Sequence, residues 1–259
     1  MNYRRSACLL LIVSWLVAGC SLFPPPREQI VIPTTQASPV VITAPEIISH
    51  PKPALMANTQ LLKEAGCVQN EYISWSWDCK GNAQLMALGC ENVIPDDLLA
   101  GLTPAYSVMR CQQRSGVPPH RERFEHVGCL APAYTSYVLF KGSEYQLITE
   151  EAELQAMFAP VDSVDEALSY ALVAKDLSAY YDLKDDSLFS NARYFVDKFE
   201  ATHVEETARG FIVHLFTDLR PPCGCGEHKL YGADILVTHD GHVEQVSATE
   251  ILSVEACID

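Results

Sequence analysis

Basic residues are scarce in this chain: 18 Lys and Arg stand against 33 Asp and Glu, a formal charge of −15. An acidic surface repels phosphate backbones, so no nucleic-acid partner is expected. It repels anionic headgroups too, so the folded body should stand off a membrane rather than lie on it. Also missing are a Gly-x-Ser-x-Gly elbow, a phosphate loop, a His-Glu-x-x-His pair and a dinucleotide fingerprint. Carboxylates are plentiful, as at Asp182, Asp185 and Asp186. A run of acids in a loop is normally a solvated face, and nothing here assigns acid and base roles. No catalytic residue and no cofactor is therefore expected, and the reading leans away from an enzyme, although sites built from distant residues leave no motif. Finally, the apolar run from Ala7 to Ala18 is shorter than the roughly 20 residues a permanent membrane span needs.

That run has the make-up of an export signal. Arg4 and Arg5 precede it, and it ends in Leu16-Val17-Ala18-Gly19-Cys20. The order of basic start, apolar core and small residues before a cysteine resembles the lipobox of bacterial lipoproteins. The resemblance implies cleavage before Cys20, a diacylglycerol on its thiol, and an acyl chain such as palmitate on the new amino group. Residues 1–19 are then a signal peptide, and losing Arg4 and Arg5 takes the charge from −15 to −17. Each buried methylene contributes about 0.8 kcal/mol, so several acyl chains hold a protein stably on a bilayer. Ser21 rather than aspartate after the cysteine implies, by the family's sorting habit, the outer membrane of a two-membrane cell.

Eight of the 16 prolines fall between Pro24 and Pro53. Proline removes amide donors and favours extended chain, so residues 20–59 read as a tether. At about 3 Å per residue its reach is on the order of 100 Å. Its Val31-Ile32, Val40-Val41-Ile42 and Ile47-Ile48 clusters are apolar enough to dock on the body or a partner, but a plain tether is the leading expectation.

Of 10 cysteines, Cys8 leaves with the signal and Cys20 takes lipid. Cys67, Cys79, Cys90, Cys111, Cys129, Cys223, Cys225 and Cys257 remain. An even count in an exported chain reads as disulfides, with about a hundred possible connectivities. Five of these lie at or before Cys129 and three from Cys223 on. Complete pairing therefore requires a bridge between the halves. Cys257, near the chain end, is expected to clasp Cys223 or Cys225, leaving the other to reach Cys129.

Residues 60–129 have little regular pattern and read as a small disulfide-stapled module, since so short a segment buries little core unaided. Within it Glu71 to Asp78 alternates like a strand, with Ile73, Trp75 and Trp77 on one face. Ala83–Leu88 and Pro95–Leu102 read as short helical turns. Residues 130–259 are more regular. Ser136–Phe140 and Glu144–Ile148 form a hairpin, Thr149 caps a short helix, and Ser163-Val164-Asp165-Glu166 is a capping box. The helix it opens carries Val164, Leu168, Ala171 and Leu172 on one face. Four extended segments follow: 194–207, 211–216, 231–238 and 242–249. Asp240-Gly241 turns sharply between the last two. This order predicts an α+β fold, a helix packed on a curved antiparallel sheet preceded by the cysteine-rich module. By element order alone the body resembles cystatin-like and PepSY-like exported domains.

The most distinctive local feature is Pro221-Pro222-Cys223-Gly224-Cys225-Gly226-Glu227-His228, read as a loop between strands. Cys223, Cys225 and His228 are candidate metal ligands, and the Cys-x-Cys pair is alternatively a reducible bridge. The leading expectation is two structural cysteines bonded elsewhere. Tyr72, Ile73, Trp75 and Trp77 offer either an aromatic platform for glycan or peptidoglycan or, preferentially, core packing. His239 and His242 flank the Asp240-Gly241 turn, a metal pair or two solvated rings. His214, alternating with Val213 and Leu215, is expected on the outer face of its strand. These features point to a membrane-anchored envelope lipoprotein with a non-catalytic binding or structural role. Its partners would be the lipid bilayer, through acylated Cys20, and an envelope protein or glycan. A metal or thiol-redox protein and a cell-wall enzyme are the alternatives.

Overall fold

The structure is a computed structural model and describes residues 45–102, 106–114, 133–181, 192–219 and 224–258. Strand β1 (Glu46–Ile48) and helix α1 (Gln60–Glu64) come first. Then β2 (Val68–Gln69), β3 (Trp77–Asp78), β4 (Asn92–Ile94), β5 (Ser107–Arg114), β6 (Ala133–Lys141) and β7 (Glu144–Ile148) lie side by side in one antiparallel sheet. Helix α2 (Ala83–Ala87) lies between β3 and β4 in the chain, and Asp97–Leu99 makes a 3-10 turn after β4. Helices α3 (Glu151–Phe158) and α4 (Val164–Lys175) follow. The remaining strands are β8 (Arg193–Tyr194), β9 (Lys198–Glu200), β10 (His203–Thr207), β11 (Gly210–Leu219), β12 (Gly224–Thr238) and β13 (Val243–Ile258). Five of them form a second antiparallel sheet in the order β10-β11-β12-β13-β8, and β9 pairs in parallel with β1. The β12–β13 ladder shifts register twice, the kind of bulge that bends a sheet. The antiparallel sheet is curled into a half-barrel, so the α+β class with a disulfide-rich region is observed. Among the described residues no helix is long and apolar enough to cross a membrane.

Helix α4 explains the architecture. Every residue from Ala167 to Ala174 is buried, which requires cover on all sides of the helix. One side meets Phe211, Val213, Leu215, Ala233, Ile235 and Val237 of the second sheet, and the other meets Tyr137, Leu139 and Ile148 of the first. The expected single apolar face is thus an all-round one, and Val164 at its start is exposed. Ser163 caps the helix as expected, with Glu166 N donating to its Oγ, but the return bond of a capping box is shifted by one residue: the Glu166 carboxylate accepts from Asp162 N at 2.9 Å. In α3 the cap is Glu150 rather than Thr149, whose amide and hydroxyl donate instead to Glu153.

The first sheet crosses the boundary expected at 129/130. The 133–148 hairpin belongs with the cysteine module, because β6 alternates Tyr137 and Leu139 toward α4 with Val138 and Phe140 toward a second core. That second core holds Leu62, Trp77, Leu85, Val93 and the bridges Cys67–Cys79 and Cys90–Cys111. A third small core, on the outer face of the second sheet, gathers Phe199, Phe216, Leu230 and Ile251, with Ile47 packed against it. The expected tether therefore ends early: Ile47 and Ile48 dock as a strand against Phe199 and Glu200. The part of the tether before residue 45 lies outside the described residues.

Two expected strands differ. The 194–207 stretch is three short strands rather than one. The 71–78 stretch is mostly turn, since Asn70 Oδ1 accepts from the amides of Tyr72 and Ile73 at 2.9 and 3.1 Å. An Asx side chain that satisfies backbone donors in this way curls the chain and competes with strand formation. Trp77 alone enters the core at 6 % exposure, while Tyr72 and Trp75 stay outside at 94 % and 55 %.

Candidate functional site

Strand alternation sends Phe211, Val213 and Leu215 inward, so His214 points outward, as its sequence neighbours predict. Register then builds a polar row. His203 on β10 faces His214 on β11, His214 faces Asp234 on β12, and Asp234 faces Ser247 on β13. Directly opposed residues share a face of the sheet, and the side chains connect along the row. His214 Nδ1 donates to Asp234 Oδ1 at 2.8 Å, and Ser247 Oγ donates to Asp234 Oδ2 at 2.7 Å. The His214 hydrogen bond, more than any other contact, holds the Asp234 carboxyl below its ordinary value. His214 Nε2 is buried with no hydrogen-bond partner among the described residues, and a Cβ on Gly232 would lie 3.3 Å from it. Ser247 bonds the carboxylate and not an imidazole, so this Ser, His and Asp do not form an activated nucleophile.

The row continues onto the docked N-terminal segment. His50, two residues beyond β1, stacks on His203 with ring centres 4.2 Å apart and an interplanar angle of 19°. His203 in turn lies 5.4 Å from His214. His50 Nε2 donates to Glu200 Oε2 at 3.0 Å, and His203 Nε2 lies 3.9 Å from the same oxygen. The His50 hydrogen bond is the main reason that the Glu200 carboxyl sits below its usual range. His203 Nδ1 donates to Ala201 O at 2.8 Å. Among the described residues His50, Glu200 and His203 form a group of potential metal ligands whose donor atoms all lie within 4.8 Å of one another.

The sites expected from sequence fare differently. Cys225 lies in strand β12, not in a loop, and is bonded to Cys257, its cross-strand partner. A bonded sulfur is not a thiolate, so Cys225 is withdrawn from metal ligation. His228 lies three positions along the same strand, which turns it to the opposite face. It is buried, and its Nε2 has no partner among the described residues. Cys223 and Cys129 lie outside the described residues, as do Asp182, Asp185, Asp186 and Cys20. His239 donates Nδ1 to Val161 O at 2.9 Å and packs edge-on to Phe211, while His242 is exposed. His50, Glu200, His203 and Asp234 went unread in the sequence. Their contacts are set by register and by the docking of a distant segment, neither of which leaves a local signal.

The chain matches no family model, and no curated protein or solved structure shows significant similarity to it.

A second feature faces outward. The 70–76 loop between β2 and β3 carries Tyr72, Ile73 and Trp75 exposed together. Its shape is set by the Asn70 turn and by Ser76 N donating to Ile73 O at 2.8 Å. The Cys67–Cys79 bridge closes its base.

Proposed function

We propose that this chain is a lipid-anchored envelope protein with a non-catalytic binding role. It is exported, acylated at Cys20, and held on the outer membrane where the cell has one. Residues 20–44, ahead of the docked strand, bound the distance from lipid to body at about 75 Å at 3.1 Å per residue. The exposed Tyr72, Ile73 and Trp75 on a disulfide-braced loop carry the binding reading. Large aromatic faces left in water on a rigid loop give contact area at small entropic cost. Their flat rings stack on the apolar faces of sugars, and an acidic body favours a partner that needs no cationic patch. The partner is therefore read as an envelope glycan.

Two measurements test this. Cys20→Ala should leave an uncleaved or soluble precursor, and a mature-sized acylated product from that variant would sink the anchor. Sedimentation with purified cell-wall sacculi should retain the parent and lose the Tyr72→Ser/Trp75→Ser double variant. Equal retention of both would remove the loop from the function.

A further inference from the structure

We propose that His50, His203 and Glu200 bind one divalent transition-metal ion of the zinc class, at the seam where the N-terminal segment meets the second sheet. Two imidazoles and a carboxylate are a donor set such ions take, leaving a fourth position open. Metal–nitrogen bonds of about 2.0–2.1 Å place tetrahedral donor atoms roughly 3.3 Å apart. The present separations from Glu200 Oε2, 3.0 Å to His50 and 3.9 Å to His203, bracket that value.

His203 is set up for the role independently of the distances. Its Nδ1 proton is held by the Ala201 carbonyl, the outer-shell contact that fixes the tautomer of metal-bound histidines. Nε2 then faces Glu200 Oε2 at 3.9 Å and Glu205 Oε1 at 3.5 Å. Two carboxylates facing one imidazole nitrogen favour positive charge between them, a place that a metal ion can take. Behind it, His214 is fixed by Asp234, and Asp234 by Ser247, so the His203 ring rests on an anchored support. The net charge of −15 raises the local concentration of cations.

Ligation asks one movement of the site. Nearly parallel rings 4.2 Å apart hold their lone pairs in separate, nearly parallel planes, so His50 must tilt out of its stack and give up its Nε2 proton for both to meet one ion. His50 is the ligand free to do so, since it follows a three-residue strand at the surface. His50 and Glu200 are 150 positions apart, so the ion would also pin the segment leading to the membrane anchor onto the body.

The test uses the full mature chain, purified in detergent and stripped with EDTA, with zinc titrated against a chromophoric chelator. One zinc per chain is expected. His50→Ala and His203→Ala should each weaken it at least tenfold, and the His239→Ala/His242→Ala variant should bind like the parent. Glu200→Gln, which keeps the side-chain shape, should weaken binding while leaving the circular dichroism unchanged. Zinc should slow proteolysis at residues 45–52 in the parent but not in His203→Ala. Failure of the parent to compete for zinc, or the parent's affinity retained in His50→Ala or in His203→Ala, would overturn the site.

Discussion

The Tyr170 hydroxyl, on the helix that fills the core, donates to the carbonyl oxygen of Gly241 at 2.9 Å. The helix is thereby fastened to the turn between the two longest strands. Gly241 has φ +80°, and a Cβ there would lie 2.9 Å from that hydroxyl and 3.2 Å from Ala159 Cβ. Gly241→Val therefore meets two penalties, the left-handed backbone and overpacking against the helix. A loss of about 3 kcal/mol is expected, read as a lower urea midpoint at unchanged slope. Tyr170→Phe removes only the hydrogen bond and should lose about 1 kcal/mol.

The disulfides allow a sharper statement. Cys225–Cys257 closes a separation of 32 residues, worth about 3–4 kcal/mol in the chain-entropy account. Cys257→Ala should lose about that much and release the last strand. With Cys67–Cys79 and Cys90–Cys111 also formed, Cys129 and Cys223 are the two cysteines after residue 20 that remain. A non-reduced peptide map is expected to show all three bridges together with a Cys129–Cys223 peptide. Free thiols at both positions would refute that fourth bridge.

What was legible in the sequence was local. Asp240-Gly241 was readable because a tight turn needs a positive φ at one residue. Ser163 was readable as a helix cap because its partner amide, on Glu166, lies only three residues on. Cys257 was readable as a clasp because a chain end frays unless it is tied. The module boundary at 129/130 was not, since nothing near Cys129 reveals that β6 pairs with β5 rather than with a later strand. The alternation of Ile73, Trp75 and Trp77 misled for a related reason: one Asn70 side chain outweighs a period-two pattern. His203, His214 and Asp234 are scattered in the chain and meet only through ladder register.

Asp234 gives a pH dependence with a definite sign. Its carboxyl is held below the ordinary value, first by the His214 hydrogen bond. A carboxylate whose folded value is depressed adds stability above the unfolded value of about 3.9, and that stability is lost as pH falls through the folded value. The parent should therefore be more stable than Asp234→Asn above about pH 5, with the gap closing on acidification toward pH 3. A gap that stays constant from pH 7 to pH 3 would mean that the His214 contact leaves the carboxyl unshifted.

The last expectation concerns the join between the two sheets. Ser169, buried on α4, donates to Leu98 O at 2.5 Å and accepts from Gly101 N at 3.1 Å. Both partners belong to the segment between β4 and β5, so one hydroxyl links the helix to the first sheet. A Cβ on Gly101 would collide with the backbone carbonyl of Asp165 and lie 2.6 Å from Ser169 Oγ. Helix backbone cannot yield as a side chain does, so Gly101→Ala must push the segment off α4. A loss of about 3 kcal/mol is expected, against about 1–2 kcal/mol for Ser169→Ala, which leaves the Gly101 amide without its acceptor. Because α4 is covered by both sheets, the loss should fall on both at once. Fluorescence of Trp77 in the first sheet and exchange protection of β12 amides in the second should then vanish at the same, lowered urea concentration. Survival of β12 protection after the Trp77 signal has gone would mean that the second sheet holds α4 without help from the first.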